Sequence, residues 1–194
     1  MLSLIGERYN ELLTKTEKSS PMVKLIIIWL SGMALCIPFF DGLNLKLGMF
    51  GMLIAYLIMG LIMGFIFNFA ASFFWYAYIS IAKGKTTLAQ TRTISLLSYI
   101  PVWIIIIMNK KIEFLVNTFQ ISGDLEKLLI LAQSGATIGL LLYTIYLLYK
   151  GGTDYAKADK FWFGIVSIIF SPIIFIIFYA IFSIAAFVSM SAMY

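Results

Sequence analysis

Lys83-Gly84-Lys85-Thr86-Thr87 carries the residue types that end a phosphate-binding loop, where a lysine and a hydroxyl meet a phosphate and its metal ion. Such a loop also needs a glycine five residues before the Gly-Lys pair, so that backbone amides can wrap the anion. That position holds Ile79, at the end of an apolar run, so the phosphate-binding reading fails. The only acidic pair beyond the N-terminal segment on the same side, Asp154 and Asp159, could hold a divalent cation or a substrate. It is flanked by Lys157 and Lys160, and a solvated loop is the simpler reading. The chain has no histidine and a single cysteine, Cys36, set within an apolar run. A Ser-His-Asp triad, a Cys-His pair and a histidine metal site are therefore excluded. No residue is assigned a catalytic, metal-binding or cofactor-binding role, and the chain is expected not to be an enzyme.

What remains is polar chemistry at depth and charge at the edges. None of the long apolar segments carries an internal charge, the usual mark of an ion- or proton-coupled carrier. The buried polar candidates are Asn68, Gln133, Ser134, Thr137, Thr144, Ser167 and Ser171. Each can satisfy itself on a neighbouring helix; alternatively, Asn68, Gln133 and Thr137 line a path for an uncharged or lipid-like solute. Gly60-x-x-x-Gly64 and Gly135-x-x-x-Gly139 have the four-residue spacing that lets helix backbones approach. Pro101 removes one backbone hydrogen bond and kinks the helix that holds it. Lys83, Lys85 and Arg92 offer positive charge to anionic lipid or an acidic partner. Tyr143, Tyr146 and Tyr149 share one helix face, as an interfacial belt or a docking face.

These residues must be positioned by membrane helices. Of 194 residues, 62% are hydrophobic and 12% charged, whereas a soluble domain typically carries about 25% charged residues to wet its surface. The apolar residues come in blocks near the ~20 residues needed to cross a bilayer. The net charge of +5 sits in short loops beside those blocks, a pattern of orientation signals rather than of nucleic-acid binding. The expected fold is all-α: an amphipathic cytoplasmic or interfacial segment over 1–21, then a five-helix membrane domain over 22–190. In the first segment Leu2, Ile5, Tyr9 and Leu12 make an apolar face suited to the membrane surface. Spans are expected at about 22–40, 47–82, 88–108, 128–149 and 161–187. Residues 109–127 read as a mixed external loop, and Lys150-Gly151-Gly152 as a glycine stop. No internal repeat is evident.

The second span is long: as one helix its apolar run is about 52 Å, so a hairpin folded at Asn68 competes with it. Basic residues decide. With one crossing, Arg8, Lys15, Lys18, Lys24, Lys83, Lys85, Arg92, Lys150, Lys157 and Lys160 share one side. Only Lys46, Lys110, Lys111 and Lys127 face the other. A hairpin gives an even split, so the positive-inside rule favours one long helix, a cytoplasmic N-terminus and an external C-terminus. Phe73, Phe74, Trp75, Tyr76 and Tyr78 then fall at the cytoplasmic interface.

Three segments carry a family likeness. Lys83-Gly84-Lys85-Thr86-Thr87-Leu88-Ala89-Gln90 looks like a Gly-Lys loop followed by a polar helix start. Leu96-Leu97-Ser98-Tyr99-Ile100-Pro101 and Tyr143-Thr144-Ile145-Tyr146-Leu147-Leu148-Tyr149-Lys150-Gly151 supply an aromatic-to-proline stretch and a tyrosine-rich span end. With the five-span layout, these resemble the Yip domain family of Ypt/Rab-interacting membrane proteins, particularly its small bacterial inner-membrane members. The resemblance implies a multi-pass inner-membrane protein without a cofactor. Eukaryotic relatives act in vesicle traffic through Rab-type GTPases, a partner a bacterial member lacks. What it implies here is a non-enzymatic scaffold, adaptor or organiser whose partners are the bilayer and another membrane protein or a second copy. The alternative is a small permease or channel subunit.

Overall fold

The computed structural model describes residues 2–42 and 49–165, and every regular element among them is helical. The order is α1 (Leu2–Glu17), α2 (Pro21–Gly42), α3 (Met49–Ile81), α4 (Leu88–Ser98), α5 (Ile100–Thr118) and α6 (Asp124–Lys150), followed by a π-helical turn, Gly151–Tyr155. Three stretches, Phe50–Ile81, Leu88–Thr118 and Asp124–Tyr155, are long and apolar enough to cross a membrane; a fourth results if α1 and α2 form one broken span. The two meet at 115°, because Ser20-Pro21 ends one helix and starts the next. This is an all-helical chain with the segment lengths of a membrane protein. Of the expected fifth span, only a first turn at 160–165 is described; the rest of 161–187 lies outside the described residues.

Helix α3 is continuous over 33 residues, through Asn68, so the single-helix expectation holds and the hairpin does not. Its partner is α2, and the contact is as close as backbones allow. A Cβ on Gly32 would strike the Gly60 carbonyl and the Gly64 backbone, and one on Gly64 would strike the Ile28 carbonyl. Two cross-helix bonds fix the register: Trp29 Nε1 donates to the Leu57 carbonyl (2.9 Å) and Tyr56 Oη to the Met33 carbonyl (2.6 Å). Gly60 and Gly64 lie at this close approach of α2 and α3.

The third span departs from expectation. It is two helices broken at Tyr99, with Pro101 in the first turn of α5, where its missing N–H has no intrahelical partner to lose. The helix then runs on to Thr118 rather than stopping near Met108, and α6 already begins at Asp124. The loop expected over 109–127 thus shrinks to the few residues around Gly123, which takes φ +74°. Lys110–Glu113 and Lys127–Asp124 ion pairs, at 2.7 and 3.1 Å, support these charged helix ends.

Burial is uneven. In the apolar windows of Phe50–Ile81 and Asp124–Tyr155 only 11% and 6% of residues are buried, against 56% for Leu88–Thr118. Among the described residues one core cluster joins Ile28 and Ala34 of α2 to Leu96 and Trp103, and the larger one lies at the end we call the α1 end. There Tyr9 and Leu13 of α1 pack with Trp75, Tyr78 and Ile79 of α3, Ile94 and Leu97 of α4, Leu147 and Leu148 of α6, and Phe163. Helix α4 is the post of this assembly, with Thr91 and every residue from Thr93 to Ser98 buried.

Two further expectations are corrected at this end. The buried face of α1 is Gly6, Tyr9, Leu13 and Thr16, and protein covers it; Leu12 is 46% exposed. The apolar stripe is thus rotated by one residue from the Leu2-Ile5-Tyr9-Leu12 face expected for a membrane surface. The Gly151-Gly152 pair does not stop a helix. Both residues are helical and buried, and added Cβ atoms would strike Ile94 and the Phe163 ring. Glycine serves close approach here, and the chain turns only at Lys157, where φ is 55°.

Candidate functional site

The residues singled out for contact with lipid or partners, Lys83, Lys85, Arg92, Tyr143 and Tyr146, lie on the elements that form the α1 end. Helix α3 ends in a Schellman-type cap: Gly84 N–H bonds the Ile79 carbonyl (2.8 Å) and Lys83 N–H the Ser80 carbonyl (3.1 Å). The left-handed residue of that cap is Lys83, with φ 59°, rather than a glycine. Gly84 follows because a Cβ there would meet Ile79 and, at 3.1 Å, the Ala156 carbonyl. Thr87 then caps α4 reciprocally with Gln90: Gln90 N–H donates to Thr87 Oγ1 (3.2 Å) and Thr87 N–H to Gln90 Oε1 (3.1 Å). The lysine-glycine-threonine run is therefore a helix stop followed by a helix start.

A second loop runs beside it. Lys85 N–H donates to the Ala156 carbonyl (3.1 Å), and Asp159 N–H donates to the Ala82 carbonyl (2.9 Å). The acidic pair is divided between structural tasks. Asp159 Oδ1 accepts from the Phe161 and Trp162 amides, both at 3.0 Å, and so caps the helix that starts at 160. Asp154 pairs with Lys150 at 3.0 Å and accepts from Thr153 Oγ1 at 3.2 Å. No group of three potential metal ligands occurs among the described residues.

The aromatic residues divide as well. Trp75 and Tyr78 are buried core, whereas Phe73 is 59% exposed. Tyr149 packs on Phe163, with ring centroids 6.2 Å apart. Tyr146 lies under α1 beside Gly6, and Tyr143 stacks on it at 6.4 Å. Lys83 and Lys85 are exposed and Arg92 is half-buried; the Lys83 ammonium stands 6.0 Å from the Trp162 ring. Sequence reading missed Tyr9 as a tether: its hydroxyl and that of Ser98 are 2.6 Å apart, both buried. Burial pushes the Tyr9 hydroxyl well above the ordinary tyrosine pKa. Tyr155 also ties α1 down, through a hydrogen bond to the Glu17 carboxylate.

The three residues of the solute-path reading lie on two helices, Asn68 on α3 and Gln133 and Thr137 on α6. Asn68 is buried within α3, where its carbonyl accepts from Ser72. Gln133 Nε2 donates to Asn109 Oδ1 at 3.0 Å, joining α6 to α5. Thr137 is half-buried one turn further along α6. A Cβ added at Gly135 or Gly139 would meet no atom of another described element within 4 Å. Among the described residues, helix α6 meets α5 around Gln133 and packs into the core through Leu147 and Leu148, and Ile138 and Leu142 are exposed. Comparison of the chain with protein-family models, curated proteins and solved structures returns no match.

Proposed function

We propose that the chain is a non-enzymatic integral membrane organiser, a scaffold or adaptor of Yip type that works through lateral contacts with membrane proteins or lipids. In this reading it crosses a bacterial inner membrane five times, with the N-terminus and the α1 end in the cytoplasm and the C-terminus outside. The orientation rests on the basic residues gathered at the α1 end, and the Yip likeness rests on the three segments quoted above.

The observation that carries the proposal is the division of labour along α6. Its C-terminal end is locked into the packed core, while its middle leaves Gly135, Gly139, Ile138 (59% exposed) and Leu142 (62% exposed) uncovered among the described residues. A helix anchored at one end, with a small-residue notch on its open stretch, is built to receive another helix. The polar groups nearby are already used in caps, ion pairs and cross-helix bonds. The test is native mass spectrometry of the protein extracted gently from its own membrane. A stoichiometric co-purifying membrane protein, or a second copy, is the expected result. A lone chain retaining a small uncharged molecule would overturn the proposal in favour of a permease.

A further inference from the structure

The two loops at the α1 end are versions of one device. Ala82-Lys83-Gly84-Lys85 follows α3, and Ala156-Lys157-Ala158-Asp159 follows α6 and its π turn. In each, the second residue is a lysine in the left-handed region, at φ 59° and 55°. In each, the fourth residue donates its N–H to the carbonyl of the other loop's first alanine. Each loop also ends a stretch of membrane-crossing length, Phe50–Ile81 or Asp124–Tyr155. The pairing is thus reciprocal, and it sets side by side the two loops that carry Lys83 and Lys157.

Lysine is a costly choice at such positions, since its Cβ crowds the carbonyl that glycine leaves clear. Strained backbone of this kind persists where the surrounding structure holds it in place, and it clusters at functional sites. The use is legible in the surroundings. Lys83, Lys85, Lys157 and Lys160 are all exposed, and none of them makes an ion pair among the described residues. Two carboxylates lie near them: Asp159 caps the next helix, and Asp154 pairs with Lys150 while also feeling the charge of Lys160. Beside them stand Ile81, Phe161 and Trp162, at 55%, 71% and 46% exposure, and Trp162 lies under the Lys83 ammonium. An excess of ammonium groups over carboxylates, above an aromatic and aliphatic rim at the end of two spans, matches the phosphate level of a bilayer.

We infer that the paired loops form a binding site for the phosphate of an anionic lipid headgroup, with Lys83 and Lys157 as its fixed contacts. The inference deepens the proposed function, from which it takes the bilayer; it does not depend on a protein partner being found. The test exploits the left-handed backbone. Lys83→Gly and Lys157→Gly remove both ammonium groups while relieving the backbone, so loss of binding is not a consequence of misfolding. The protein is equilibrated with equal parts of phosphatidylglycerol and phosphatidylcholine, and the bound lipids are counted by native mass spectrometry. The wild type should retain the anionic lipid preferentially, and the preference should fall about fivefold for each lysine removed. Lys111→Gln, exposed at the far end of α5, should leave it unchanged. If the glycine pair fails to fold, Lys85→Gln with Lys160→Gln gives the same reading from unstrained positions. Equal retention of the two lipids by the wild type, or an undiminished preference in the variants, would overturn the inference. A co-purifying protein partner in that case would leave the proposed function standing.

Discussion

Leu13→Ala asks whether α1 is part of the folded core or a float on the membrane surface. Leu13 has no exposed surface, and with Tyr9 it supplies the apolar anchoring of α1 against α4, α6 and the π turn. Replacing leucine by alanine removes three carbon atoms, about 2.4 kcal/mol at ~0.8 kcal/mol per buried methylene. The cavity left behind brings the loss into the range of about 2–5 kcal/mol. Tyr9 remains, but the loss equals a large part of the anchoring, so α1 should undock while the rest of the bundle stays folded. Hydrogen exchange read by mass spectrometry reports this directly. Amides between Gly6 and Thr16 should exchange at least about thirtyfold faster, the equivalent of ~2 kcal/mol in local opening. Leu12→Ala is the control. Leu12 is the next residue along, equally apolar and 46% exposed, and its truncation should change exchange little, within about 0.5 kcal/mol. If the two variants loosen α1 equally, the membrane-surface face of Leu2, Ile5, Tyr9 and Leu12 is the correct one and the docked helix is not.

The two glycine pairs should separate sharply. Gly64→Val forces a side chain against the Ile28 carbonyl and should cost about 3 kcal/mol or more, lowering the thermal midpoint in detergent. Gly135→Val meets open space; it should leave that midpoint unchanged and alter only association in the membrane. Asp159→Ala strips the cap from the Phe161 and Trp162 amides and should cost about 0.5–2 kcal/mol of stability, with Asn at the same position nearly neutral. The pH dependence of α1 docking follows from Tyr9, whose pKa is raised by burial. The folded state holds the proton more tightly than the unfolded one. Its contribution is therefore complete below the free tyrosine value of about 10 and is lost as pH rises beyond it. Protection factors in α1, with the base catalysis of intrinsic exchange divided out, should be flat through neutral pH and fall under alkaline conditions.

Much of this architecture is legible in the sequence, and the exceptions share a cause. The single long α3 could be read because basic residues report the side of a loop whatever the packing inside. The start of α4 could be read because Thr87 and Gln90 form a cap within four residues of chain. The failures came where one residue type serves two purposes. Gly151 and Gly152 looked like a stop, because glycine ends helices; only Ile94 and Phe163, distant in sequence, reveal that they make room. The α1 stripe was misplaced by one position because Leu12 and Leu13 are equivalent as hydrophobes. The deciding members, Gly6 and Thr16, are small or polar and count as buried only when another helix arrives. Gly60-x-x-x-Gly64 and Gly135-x-x-x-Gly139 are indistinguishable as motifs. What separates them is Gly32 on α2, which lets a second backbone approach the first pair. The likeness between the loops after α3 and α6 escaped notice because Ala-Lys is too short to register as a repeat. It emerges from backbone angles and reciprocal hydrogen bonds, which sequence does not display.

The central claim is that the open stretch of α6 receives another protein within the bilayer. A photo-crosslinking amino acid placed at Ile138, which is 59% exposed beside Gly135 and Gly139, tests it in intact membranes. The account predicts a discrete adduct heavier than the chain itself, containing a second membrane protein or a second copy. Crosslinks confined to lipid or to the chain itself would contradict it.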